Sequence, residues 1–199
     1  MAEPRVVLEP ELRARLDALY AEGRAIFEQF DRTVRKQAWH PFIPADYESI
    51  LQALLPYRGR RMKFLEWGSA TGVIAITADL LGFEAYGIEI DERLVVIARE
   101  LAAKYGSNAT FAAGSFLPDG YEWRSEEGDP RLGTIGVAPA GYSELGVEIG
   151  DFDLVYAYLW SGEEPIVHDV MRRFSPAGAR LLLNGPNGVR VFTFPEPVA

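Results

Sequence analysis

Strand, helix, strand, helix and strand succeed one another between Lys63 and Gly114, an alternation that specifies a three-layer α/β/α sandwich on a mostly parallel sheet. Two further features agree. A glycine-bearing turn, Glu66 to Gly72, joins the first of these strands to the first of these helices. Near the C-terminus, the turn Gly185-Pro186-Asn187-Gly188 is too short for a parallel crossover, so the last strand must return antiparallel along an edge.

The elements follow in order. Residues 1 to about 9 read as an unstructured or edge segment. From Pro10 the apolar residues Leu12, Leu16, Leu19, Tyr20, Phe27 and Phe30 recur at helical spacing, with charged residues between them. Gly23 weakens the middle of that helix. Two prolines, Pro41 and Pro44, exclude regular helix from the segment Gln37 to Pro44. A shorter helix runs from about Ala45 to Leu55, started by Asp46, with Ile50, Leu51, Leu54 and Leu55 inward. Lys63 to Trp67 is a short buried strand, and Val73 to Leu81 an apolar helix stopped by Gly82. Ala85 to Ile90 is the next strand. A helix from Asp91 to Tyr105 follows, with Asp91 as N-cap, Gly106 as stop, and Leu94, Ile97, Ala98 and Leu101 on its apolar face. Thr110 to Gly114 is a third strand.

Residues 118–150 break the rhythm with acids and repeated glycines, and read as a long insertion carrying one short helix near Tyr142 to Leu145. Phe152 to Leu159 is a fourth strand. A helix from about Gly162 to Phe174 buries Ile166, Val167, Val170, Met171 and Phe174, and Ser161 with Glu164 fits a capping box at its start. Arg180 to Asn184 and Val189 to Phe194 complete the sheet. The expected organisation is an N-terminal helical arm or cover over residues 1–58 and a core domain over residues 59–199.

Composition narrows the function classes. Apolar residues make up 48% of the 199 residues, enough for a core of ordinary size. Cysteine is absent, which excludes disulfides and thiolate metal sites, and only two histidines are present, so no metal site is expected. A formal net charge of -9 opposes a phosphate backbone, so nucleic acid is an unfavoured partner. The one dense basic stretch, Arg58, Arg60, Arg61 and Lys63, reads as a solvated loop. Neither a signal peptide nor a membrane-spanning stretch is evident, so the chain is expected to be soluble and cytoplasmic.

The chemistry concentrates at the first turn. Gly68 permits a sharp bend and Gly72 a close start for the following helix, so that backbone N–H groups can lie against a ligand. Glu89 ends the second strand about 20 residues beyond the glycine turn, where a carboxylate accepts hydrogen bonds from both hydroxyls of a ribose. A nicotinamide dinucleotide site wants the spacing G-x-G-x-x-G under a pyrophosphate. Here only Gly68 and Gly72 are in place, and Glu66 would oppose a pyrophosphate.

These residues carry a family resemblance. Glu66-Trp67-Gly68-Ser69-Ala70-Thr71-Gly72 resembles the first motif of class I S-adenosylmethionine-dependent methyltransferases, an acid-x-Gly-x-Gly-x-Gly pattern, with Ala70 in place of the middle glycine. Gly87 to Asp91 is similar to the second motif, with Glu89 as its ribose acid. Gly114, Ser115 and Phe116 match the segment that flanks the adenine, Asp153 to Tyr156 the fourth-strand motif, and Pro176 to Leu183 the turn into the fifth strand. The resemblance covers roughly residues 60–184. It implies a Rossmann-like fold, S-adenosylmethionine as cofactor with S-adenosylhomocysteine as product, and cofactor contacts from Glu66, Gly68, Ser69, Ala70, Thr71, Gly72, Glu89, Ile90, Gly114, Ser115, Phe116 and Tyr156. The family continues past the fifth strand with a helix and a hairpin, whereas only one returning strand is expected here, a shortened C-terminus.

Methyl transfer needs mainly positioning, so no catalytic residue is assigned. Families that methylate amino groups of nucleic-acid bases carry Asn-Pro-Pro-aromatic at the end of the fourth strand, whereas this chain has Tyr156-Ala157-Tyr158-Leu159-Trp160. Trp39, His40, Tyr158 and Trp160 are the candidates for lining an acceptor pocket. His168 is expected at the surface of its helix. The expected activity is methyl transfer to a small molecule. A cofactor-holding subunit or regulator without turnover is the alternative, followed by a nicotinamide oxidoreductase.

Overall fold

The core of the protein is a six-stranded sheet whose central strand, β1 (Lys63–Trp67), is buried along nearly its whole length. The computed structural model describes residues 8–34, 43–122, 135, 138–160, 162–185 and 187–195. β1 pairs in parallel with β2 (Glu84–Glu89) on one side and β4 (Leu154–Tyr158) on the other. β3 (Thr110–Ala113) adds in parallel beyond β2, and β5 (Arg180–Gly185) beyond β4. β6 (Gly188–Thr193) returns antiparallel along β5, as the short turn between them demands. The order is β3-β2-β1-β4-β5-β6, a Rossmann-like arrangement that reverses direction between β1 and β4. In such sheets ligands bind beyond the carboxyl ends of the strands at that reversal.

Helices cover both faces, so the sandwich has the three layers and antiparallel edge expected from the sequence. On one face lie α1 (Pro10–Val34), α2 (Tyr47–Leu54), α3 (Val73–Leu80) and α4 (Glu92–Lys104), packed on Phe64, Phe111, Tyr156 and Leu182. α3 is apolar on every side because it is enclosed on every side: Val73 through Ala78 are all buried. On α4, Leu94, Val95, Ala98, Leu101 and Ala102 are buried, and the Asp91 carboxylate accepts the Arg93 N–H at 3.0 Å to cap its start. Asp46 precedes α2 but accepts from the Ser49 hydroxyl at 2.6 Å rather than from a backbone N–H of the first turn.

Gly23, which weakens α1 by propensity, has a packing reason. A Cβ there would stand 2.7 Å from Val73 Cγ2 and 3.2 Å from the Tyr47 hydroxyl, so the missing side chain lets α1 press against the start of α3.

The other face carries α5 (Tyr142–Leu145) and α6 (Glu164–Phe174), packed on Leu65, Trp67, Val155, Leu181 and Leu183. The described end of the insertion folds back onto the sheet, where Ser115 and Ala140 form a parallel bridge beyond β3. Tyr142 fixes this corner: its hydroxyl accepts from Trp67 Nε1 at 2.9 Å and donates to the Phe116 carbonyl at 2.6 Å.

Three expectations are corrected on this face. Glu164 does not reach back in a capping box. Its carboxylate pairs with both Arg190 nitrogens, at 2.9 and 2.6 Å, Glu163 occupies the cap position, and Ser161 lies outside the described residues. His168 is not a surface residue: its ring stands edge-on to Phe192 and Phe194, with centroids 4.5 and 5.7 Å away. Phe174 is half-buried, edge-on to Tyr121. No helix among the described residues is long and apolar enough to cross a membrane, and no group of three or more potential metal ligands occurs among them.

Candidate functional site

The turn from β1 into α3 is wound by residues in the left-handed region. Gly68 has φ +67°, Ala70 +45° and Gly72 +73°. The Gly68 and Ser69 N–H groups both donate to the Ile88 carbonyl, at 2.9 and 3.0 Å, which ties the turn to β2. Gly72 then opens α3. A Cβ on Gly72 would lie 2.5 Å from the Phe111 ring and 2.9 Å from Ala98 Cβ, so the helix can begin this close to β3 and α4 only with glycine there. The middle position of the motif is also left-handed, yet it holds Ala70, a conformation that costs an L-residue about 1–2 kcal/mol.

Two buried acids brace this turn. Glu66 is 5% exposed, and its Oε2 accepts the Ala75 N–H at 2.9 Å, which satisfies one of the free donors at the start of α3. Burial pushes its carboxyl well above the usual range, the Ala75 bond opposes that, and the charge of Glu89 adds to it. Glu89 is 6% exposed. Its Oε2 accepts the Ala70 N–H at 2.8 Å and its Oε1 the Asp91 N–H at 3.0 Å. Burial raises its pKa too, against the pull of those two bonds. A carboxylate has about four acceptor positions, so both oxygens of Glu89 keep capacity for two further donors. Among the described residues no lysine or arginine bonds to either acid.

Two hydroxyls complete the constellation. Ser69 and Tyr156 are buried, and neither hydroxyl has a hydrogen-bond partner among the described residues. Such orphans are uncommon in folded proteins. Tyr156 stands directly opposite Glu66 in the β1–β4 register. Burial lifts its hydroxyl well above the usual tyrosine range, and Glu66 contributes.

The remaining expected residues fall as follows. Thr71 is buried inside the turn, and Ile90 is 39% exposed on the rim just past Glu89. Gly114 packs against the insertion, where a Cβ would meet the Pro139 carbonyl at 2.6 Å. Ser115 exchanges backbone bonds with Pro139 and Gly141. Phe116 stacks on Trp67, ring centroids 4.9 Å apart, within the core of the other face. Tyr158 is 38% exposed at the end of β4. Trp160 is half-buried, and its backbone N–H donates to the Glu163 carboxylate at 2.9 Å. Trp39 and His40 lie outside the described residues.

Sequence reasoning passed over three contributors. Glu163 is fully buried and also accepts the Ile135 N–H at 3.2 Å, so it joins the insertion to the segment after β4. Phe111 fills the space over Gly72 and Gly87, which only the missing side chains of those glycines could have signalled. Asn184, one residue before the end of β5, pairs with Tyr158. An open groove of about 600 Å³ lies elsewhere, at the β3 edge, lined by Arg99, Thr110, Phe111 and Glu144 among others; it includes no residue of the turn.

No protein-family model matches the sequence, and no curated protein matches it. Solved structures of similar shape include an RNA methyltransferase from Salinibacter ruber in complex with S-adenosyl-L-homocysteine, at 20% identity and TM-score 0.48, covering 71% of this chain and 76% of that one. A precorrin-6y C5,15-methyltransferase from Geobacter metallireducens matches at 15% identity and TM-score 0.47, covering 70% of this chain and 61% of that one. A ribosomal protein L11 methylase from Lactobacillus delbrueckii matches at 17% identity and TM-score 0.47, covering 69% and 58%. The chain therefore spans less than two thirds of the latter two. At these identities and scores the likeness concerns fold alone and carries no argument about ligand or reaction.

Proposed function

We propose that the chain binds S-adenosylmethionine at the Glu66–Gly72 turn and transfers its methyl group to a small-molecule acceptor. The observation that carries this reading is the pair of buried carboxylates, Glu66 and Glu89, bracing a left-handed turn with no basic partner among the described residues. A phosphate placed there would meet two acids in a poorly solvated site, whereas a ligand bearing an ammonium and a sulfonium relieves their burial. The same argument disfavours a nicotinamide dinucleotide.

The unfilled polar capacity suits the cofactor. Glu89 has acceptor positions for the two ribose hydroxyls, and the free N–H groups at the start of α3 suit a carboxylate. Ile90 offers an apolar rim for the adenine, and Gly114, Ser115 and Phe116 form the neighbouring strand end. When bound, the cofactor supplies a methyl group already activated by its positive sulfur. The protein's share is to hold and orient an acceptor and to exclude water from its path.

Binding without turnover is the second reading. It is favoured by the position of His168, which packs among Phe192 and Phe194 on the sheet face opposite the two acids and so supplies no base to the site. Incubation of the purified protein with methyl-labelled S-adenosylmethionine and a panel of phenols, amines and thiols tests the choice. Label in an acceptor supports the enzyme. Bound cofactor without any labelled product supports the binding module.

A further inference from the structure

Residues of neighbouring strands form rows across the sheet face on which α1 to α4 pack. Glu66 pairs with Tyr156, Tyr156 with Leu182 and Leu182 with Val191. Two residues further toward the carboxyl ends, Tyr158 pairs with Asn184 and Asn184 with Val189. Because side chains alternate along a strand, Tyr158 and Asn184 share the face that carries Tyr156, Leu182 and Glu66. Trp67 pairs with Ala157, so Tyr158 is level with Gly68, the first residue of the turn. Neighbouring strands lie about 4.8 Å apart, which sets Asn184 roughly 10 Å from the turn.

This second row is unusual for what its members lack. Tyr158 is 38% exposed although it continues a fully buried strand. Asn184 is half-buried, and its side-chain amide makes no hydrogen bond among the described residues. Val189 closes the row as an apolar neighbour packed on the core. The arginines on the flanking strands are engaged elsewhere: Arg190 with Glu164 on the opposite face, and Arg180 over the Tyr57 ring at the other end of β5. The shelf thus offers an aromatic ring and an amide that both donates and accepts, on the sheet face that also carries Glu66.

We propose that Tyr158 and Asn184 are the specificity-determining residues of an acceptor shelf that takes an uncharged planar ring bearing a hydroxyl or amine. The inference rests on the methyl-donor reading for the word acceptor, and on geometry alone for the ligand class. Stacking on Tyr158 places the ring beside the turn, and the Asn184 amide pairs with its polar substituent. An anionic ring is disfavoured by Glu66 and Glu89, and among the described residues of the shelf's strands both arginines, Arg180 and Arg190, are engaged elsewhere. A nucleic-acid strand finds no row of basic side chains among the described residues of this shelf to neutralise its phosphates.

The test is a fluorescence titration of the purified protein, saturated with S-adenosylhomocysteine, with 2-naphthol, 2-naphthoate and naphthalene. The shelf predicts saturable binding of 2-naphthol, with naphthoate and naphthalene each weaker by tenfold or more. Asn184→Leu weakens 2-naphthol roughly fivefold, about the worth of one hydrogen bond, and leaves naphthalene unchanged. Tyr158→Ala weakens both neutral probes. Equal binding of naphthol and naphthoate, or indifference to both substitutions, overturns the proposal. Tighter binding of a single-stranded oligonucleotide than of any naphthalene overturns it in favour of a polymer. S-adenosylhomocysteine affinity separates the two readings: it is unchanged in Asn184→Leu if the shelf is distinct from the cofactor turn. Should the wild type take up 2-naphthol without binding S-adenosylhomocysteine, the donor reading fails while the ring shelf stands.

Discussion

Ala70 is the residue at which this chain departs from its expected motif, and the structure shows the cost, since the position is left-handed. Ala70→Gly relieves about 1–2 kcal/mol of strain. It returns roughly 0.4–1 kcal/mol to the unfolded chain's entropy, so a net gain of about 0.5–1 kcal/mol is expected by urea denaturation. Gly72→Ala should do the reverse, combining a left-handed alanine with a 2.5 Å overlap on Phe111, for a loss of roughly 2–5 kcal/mol. Glu66 gives a pH test. Its folded pKa is raised well above the ordinary glutamate value of about 4.5, so between that value and the raised one the folded protein holds more protons than the unfolded chain. The stability associated with this group is therefore fully present below about pH 4.5 and is lost as pH rises through the raised value. Glu66→Gln keeps an acceptor for the Ala75 N–H and removes the buried charge. It should be more stable than wild type at pH 8, with the difference vanishing toward pH 4; a constant difference across that range contradicts the assignment.

At the scale of elements, the sequence disclosed most where a helix or strand is decided by its own pattern. The βαβαβ run, the short helix Tyr142–Leu145 and the antiparallel return of β6 all lie where periodicity and turn length put them. It disclosed less where a partner decides. His168 read as surface because nothing along its helix reveals that β6 crosses above it with Phe192 and Phe194. The box drawn from Ser161 to Glu164 failed because Arg190, distant in sequence, takes the carboxylate. Gly23 looked like a defect in α1 until Val73 and Tyr47 were seen against it. Propensity alone makes Gly23→Ala stabilising by up to about 1 kcal/mol. The 2.7 Å approach to the stiff, buried Val73 predicts instead a loss of roughly 1–3 kcal/mol, measurable as a lowered midpoint of thermal unfolding.

For the whole molecule, the sheet reversal between β1 and β4 brings Glu66, Ser69, Glu89 and Tyr156 into one buried polar cluster on a single face. The glycine turn and the acid at the end of β2 were legible as a motif because their spacing is local. The burial of both acids and the two orphaned hydroxyls were not, because burial depends on what packs over that face from elsewhere in the chain. The proposed acceptor shelf was legible only as a run of aromatics at the end of β4; Asn184 is set beside Tyr158 by strand pairing, which no linear pattern records. Calorimetric titration of S-adenosylhomocysteine into the wild type and into Glu89→Gln, both checked for native circular dichroism, tests the cofactor site. The expected result is micromolar binding to the wild type, weakened at least tenfold, about 1.4 kcal/mol, in Glu89→Gln. A folded wild type that gives no heat and no thermal shift with this ligand contradicts the account.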